Sequence, residues 1–140
     1  MSTNVVFEDE ALEALRKKYF PRIPWTERGP VRRRYLTRAA AGENVVAALV
    51  RLAQQEQFIE PGQNAVLGNA GACLAAFQRR GSDSTIAMVF GTDLDAHWSD
   101  LALGAPDGDG WQEIIVRSEE GENLIALAHA TGVLRFKKAE

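Results

Sequence analysis

The 140-residue chain contains one cysteine, Cys73. A single thiol closes no intramolecular disulfide and cannot build a cysteine zinc site, which needs several thiolates. Cys73 lies in the apolar stretch Ala70-Gly71-Ala72-Cys73-Leu74 and reads as a small buried hydrophobe. The sharper reading, a catalytic thiolate, needs a base, and His97 and His129 are the only histidines available for that role. Long apolar runs are missing too, and none approaches the roughly 20 residues that span a bilayer. Residues 1–9 carry acids and no apolar core, unlike a secretory signal. These absences lead us to expect a cytoplasmic protein with no membrane partner. No internal repeat, low-complexity tract or linker divides the chain, so residues 1–140 are expected to form one domain.

Familiar ligand-binding motifs are also absent. Gly68-Asn69-Ala70-Gly71 lacks both the third glycine of a dinucleotide fingerprint and the Gly-Lys-Ser/Thr of a P-loop. Asp107-Gly108-Asp109-Gly110 begins like a calcium loop, but Gln112 and Ser118 occupy its sixth and twelfth places, where glycine and glutamate are required. A hairpin loop is the better reading. No cofactor or metal is expected.

What is present suffices for a folded core. Hydrophobic residues make up 46% of the chain and charged residues 25%, an ordinary globular balance. The net charge of -3 conceals a strong asymmetry. From Arg16 to Arg38, nine basic residues face one acid, Glu27. From Asp83 to Glu122, ten acids face one base, Arg117. Segregation on this scale is the most informative feature of the sequence.

The periodicity predicts helices first and strands after. Leu12, Leu15 and Tyr19 share one helical face, with acids before them, basic residues in the last turn and Pro21 as a stop. Pro21 to Pro30 reads as an extended connector. A second helix is expected from either Arg34 or Asn44 to Phe58, with Val46, Leu49, Val50 and Ala53 as its apolar stripe. Gly42 leaves its start open. Cys73 to Gln78 and Thr85 to Phe90 read as a hairpin around Arg80-Gly81-Ser82-Asp83. Further strands are expected at Trp98 to Leu103, Trp111 to Arg117 and Val133 to Phe136, with a short helix at Glu122 to His129 stopped by Gly132. The pattern implies an α+β fold in which N-terminal helices pack on a mostly antiparallel sheet formed by the C-terminal half.

Three groups of residues are candidates for function. Asp93, Asp95 and His97 would share one face of an extended segment, where they could hold a metal or perform acid/base work in a small enzyme. Arg32, Arg33 and Arg34, with Tyr35 and Trp25 nearby, could hold phosphates and stack bases, although a chain pI near 5.5 lies below that of a typical nucleic-acid binder. The acids Asp93, Asp95, Asp100, Asp107 and Asp109, with Trp98 and Trp111 as anchors, could form a contact surface for a basic protein.

The stretch from Val89-Phe90-Gly91 through Asp100-Leu101-Ala102-Leu103-Gly104 to Glu113-Ile114-Ile115-Val116 resembles the sheet of SUKH-type immunity proteins, with a "DLDLG"-like strand, a hydrophobic strand and an acidic turn. The resemblance covers less than half the chain, and no residue roles follow from it. It agrees with a small protein-interaction module, such as a toxin-neutralising immunity protein or a secretion chaperone. We expect such a module, acting through a charged surface on another protein as monomer or homodimer. The enzyme and the nucleic-acid binder are the alternatives.

Overall fold

The computed structural model describes residues 14, 17–18, 27–40, 44–55, 58–59, 65–66, 73–79, 81, 85–90 and 97–138. Their order is β1 (Arg33–Ala39), α1 (Val45–Gln55), the two-residue strands β2 (Phe58–Ile59) and β3 (Ala65–Val66), β4 (Cys73–Arg79), β5 (Thr85–Phe90), β6 (Leu101–Leu103), β7 (Gln112–Val116), α2 (Glu119–Thr131) and β8 (Leu134–Lys138). The fold is α+β, but its arrangement corrects the expectation of N-terminal helices on a C-terminal sheet. The sheet runs β2-β4-β5-β6-β7-β1-β8, with β3 also on β4, so it includes a strand from the N-terminal third. Helix α1 falls between β1 and β2 in the chain and does not precede the sheet. The sheet is mixed: β5 and β6 are parallel, and the other pairs are antiparallel.

The correction originates in β1. Arg33-Arg34-Tyr35-Leu36-Thr37-Arg38-Ala39 was open to a helical reading, yet it alternates with a period of two. Tyr35, Thr37 and Ala39 face the helices, and Arg34, Leu36 and Arg38 face the other way. Such alternation suits a strand with one covered face. Both edges of β1 are satisfied, Tyr35 lying opposite Ile114 of β7 and Lys138 of β8. The helix therefore starts at Asn44, whose side-chain oxygen accepts the Ala47 N–H at 3.2 Å as an N-cap. Its buried stripe is Val45, Ala48, Leu49, Leu52 and Ala53, one residue round from the expected one, with Val46 and Val50 half-buried. Ala14, Lys17 and Lys18 are helical, in the stretch expected to form the first helix; the rest of that stretch lies outside the described residues.

Helix α2 carries stop and start signals at both ends. Ser118 accepts the Gly121 N–H, three glutamates occupy the first turn, and Gly132 adopts the left-handed conformation that closes the helix. Both helices pack on one face of the sheet, where Leu49, Leu52, Leu124 and Ala128 meet Phe77, Met88, Leu101 and Ile114. The alternate positions Ala76, Ala87, Val89, Ala102 and Ile115 are also buried, so β4 to β7 are covered on both faces. Toward β1 and β8 the second face opens, and Arg34, Arg135 and Lys137 stand exposed on it.

Asp100 ties these layers together. It is 1% exposed and immediately precedes β6. Its N–H donates to the Ala87 carbonyl at 2.7 Å, and its carboxylate accepts the Ala87 N–H at 2.6 Å. The side chain thus continues the parallel β5–β6 ladder one step beyond the strand. The carboxylate also takes the Arg28 Nε at 3.3 Å, while the Asp100 carbonyl accepts the Arg117 N–H at 2.9 Å. Gly121 of α2 presses on the same carbonyl. A Cβ there would lie 2.9 Å from the Asp100 oxygen, 3.1 Å from Leu101 and 3.2 Å from Val116.

Two stability effects follow. Asp100→Ala removes a buried carboxylate that accepts from both the Arg28 guanidinium and the Ala87 N–H, and should cost about 3 kcal/mol or more. Gly121→Ala overpacks a backbone contact and should cost roughly 1–3 kcal/mol. Urea unfolding measures both, as a fall in the midpoint at unchanged slope. A midpoint within error of wild type for either variant contradicts the packing described.

Candidate functional site

The two oppositely charged segments meet in the sheet. Antiparallel pairing of β1 with β7 sets Arg34 against Glu113, at 2.9 Å, and the strand entry sets Arg32 against Glu122 of α2, at 3.4 Å. Arg28 takes Asp100, and Arg79 reaches Glu120 at 3.5 Å. Much of the charge asymmetry is therefore spent inside one chain.

A cationic excess remains around the β1–β8 edge. β8 runs Leu134-Arg135-Phe136-Lys137-Lys138 and is the last strand of the sheet. Its register puts Lys138 opposite Tyr35 and Arg135 opposite Arg38. Among the described residues, no carboxylate pairs with Arg33, Arg135, Lys137 or Lys138. Arg33 donates only to the neighbouring Arg32 carbonyl, at 3.0 Å. On an edge strand such charges also deter pairing with another sheet.

Part of this excess borders a cleft. Between α2 and the β1–β8 edge lies an open cavity of about 790 Å³, with Arg32, Arg33 and Lys138 at its rim and Tyr35, His129 and Phe136 among its walls. Tyr35 and Phe136 meet edge to face, with centroids 5.7 Å apart and planes at 67°. The exposed His129 ring lies 6.2 Å from Phe136. Glu122 also lines the cleft, held by Arg32. On the opposite face of the same strands, Arg38 and Lys137 stand 4.9 and 4.3 Å over the Trp111 ring.

The residues singled out in the sequence are distributed as follows. Arg32, Arg33 and Arg34 come together with Tyr35 at this edge. Asp100 and Trp98 are inside the fold, Trp98 at 4% exposure. Asp107 anchors the β6–β7 loop, its carboxylate accepting the Asp109 and Trp111 N–H groups at 2.8 and 3.0 Å. This turn chemistry engages the carboxylate of the calcium-like stretch. Asp109 is exposed and gives its carbonyl to Arg38, and Trp111 is half-buried beneath the two cations. Asp93, Asp95, Trp25 and the Gly68 to Gly71 stretch lie outside the described residues, and His97 is exposed. Among the described residues, no three His, Cys, Asp or Glu side chains gather as metal ligands. No described helix is long and apolar enough to cross a membrane.

Sequence reasoning passed over Arg135, Lys137, Lys138 and Phe136 as site residues, and weighed His129 only as a base for Cys73. The signal for the strand residues was the alternation of Arg135, Phe136 and Lys137, which puts the ring and its flanking charges on opposite faces.

No family model matches the chain, and no curated protein or solved structure is similar to it. The resemblance of the β5–β7 stretch to SUKH-type sheets thus has no matching family model behind it.

Exposed charges without partners contribute little to folding. Arg33→Glu and Lys138→Glu should each shift stability by no more than about 0.5 kcal/mol. Thermal and urea unfolding check this, and a loss above about 2 kcal/mol would instead make these residues part of the fold's own framework.

Proposed function

We propose that this chain is a non-catalytic binding module and that its contact surface is the basic β1–β8 edge, taking an anion-rich macromolecule. One observation carries the reading: Arg33 and Lys138 line the cleft, and Arg135 and Lys137 stand on the opposite face of the same edge, all four without acidic partners among the described residues. Other charges of the fold are paired, as in Arg28 with Asp100 and Arg34 with Glu113. Like charges held close together cost repulsion, and a bound anion relieves it. The expected module acting through a charged surface is retained, and its support lies with the cations. Asp100 and Trp98, expected as parts of an acidic contact surface, are buried.

The overall charge of -3 does not oppose this. At physiological salt, charges more than about 8 Å apart are largely screened, so a ligand at the edge responds to the local excess.

Retention on a heparin matrix tests the surface. Arg33→Glu and Arg51→Glu change the net charge equally, but only Arg33 lines the cleft. Wild type should be retained at about 50 mM salt, because polyanion contacts strengthen as salt falls. Arg33→Glu should elute clearly earlier than Arg51→Glu. Coincident elution of the two variants, or passage of the wild type unretained, overturns the proposal.

A further inference from the structure

We infer that the cleft between α2 and the β1–β8 edge binds single-stranded nucleic acid, with phosphates on Arg33, Lys138 and Arg32 and bases against Phe136, Tyr35 and His129. This rests on the binding-module reading above and names the partner of the same site.

The order of side chains on the cleft floor carries the inference. On the helix-facing side, β1 presents Arg33 then Tyr35, and β8 presents Phe136 then Lys138, with Tyr35 directly opposite Lys138. Cations and rings thus alternate over one concave surface. A flexible chain of phosphates joined to flat bases has the same alternation, and proteins that hold single strands pair a basic groove with aromatic platforms. An acidic peptide uses the cations but has no group that calls for three rings beside them. A duplex supplies phosphates, but its bases are stacked on one another and are withheld from the rings. The cavity, at about 790 Å³, is of the size that encloses a small organic ligand, which suits a few splayed nucleotides better than a folded acidic surface.

The geometry of individual groups agrees. Tyr35 and Phe136 meet at 67°, so the edge-on ring does not spend its face on its neighbour. Arginine presents a planar fork of donors that matches phosphate oxygens. Glu122 gives the site discrimination. Its carboxylate, 3.4 Å from Arg32, repels a bare polyanion but can accept from an N–H on the Watson–Crick edge of an unpaired base.

Fluorescence anisotropy with a labelled ten-residue oligothymidylate tests the assignment, alongside a poly-glutamate peptide of equal charge and a duplex of the same length. The oligonucleotide should bind best, and its affinity should fall about 20- to 50-fold from 50 to 200 mM salt if three or four phosphates are contacted. The double variant Arg33→Glu/Lys138→Glu should abolish binding. His129→Ala, at an exposed position, and Phe136→Leu should each weaken the oligonucleotide at least about fivefold while heparin retention is kept. His129→Ala remains decisive should Phe136→Leu unfold. Equal binding of poly-glutamate, with no effect of the ring variants, overturns the nucleic-acid assignment and leaves the anion-binding module standing. Equal binding of the duplex overturns the single-strand assignment. Binding of none of the three probes at 50 mM salt overturns both readings.

Discussion

The Asp100 carboxylate is the point through which the layers of this fold communicate. A charged group taken out of water is costly unless it is paired and hydrogen-bonded. Here the compensation comes from several parts of the chain at once. Ala87 of β5 supplies an N–H and takes one back, Arg28 supplies a guanidinium from before β1, and Arg117 after β7 binds the same residue's carbonyl. The parallel β5–β6 pair begins at this residue, in a sheet that is otherwise antiparallel. Gly121 lets α2 come down on that carbonyl, which sets the depth of the helix against the sheet. The depth of α2 in turn sets one wall of the cleft, through Glu122, Ile125 and His129.

The segregated charges have a structural use. A run of arginines in a strand would repel a neighbouring strand of the same sign. β1 instead lies beside β7, whose Glu113 accepts Arg34, and close to α2, whose Glu122 accepts Arg32. Opposite signs across a sheet favour one register over its slips. On its other edge β1 meets β8, which is basic too, and there no acid among the described residues answers the repulsion. The contrast between the two edges of one strand separates charge that is paired within the fold from charge that is not paired among the described residues.

Much of the local structure was legible in the sequence. The Arg80 to Asp83 turn marked a hairpin, and β4 and β5 do pair antiparallel from Cys73 opposite Phe90 to Gln78 opposite Thr85. Gly132 marked the end of α2, and Asn44 was one of two starts weighed for α1. The arrangement was not legible, because it depends on β1. Its arginines hid the alternation of Tyr35, Thr37 and Ala39, and no local signal says that its partners are β7 and β8. The site was half legible for the same reason. Arg32 to Arg34 stood out as a basic run, while Arg135, Lys137 and Lys138 become its neighbours only through pairing of β1 with β8. Asp100 looked like the other acids of its run, and its burial follows from tertiary contacts that leave no mark on the sequence.

The placement of β1 between β7 and β8 also bears on the order in which the chain assembles. The β4–β5 hairpin is local and can close early, since short loops cost little entropy. Arg34 and Glu113, by contrast, lie 79 positions apart, and β1 has no nearer strand to pair with among the described residues. Folds dominated by such distant pairings have high contact order and fold slowly. On the ribosome, β1 emerges with its arginines unpaired and waits for most of the domain to be synthesised. β8, the last of the described strands, covers the open edge of β1 and builds the cleft in the same step, so the proposed binding surface exists only once the chain extends to Lys138.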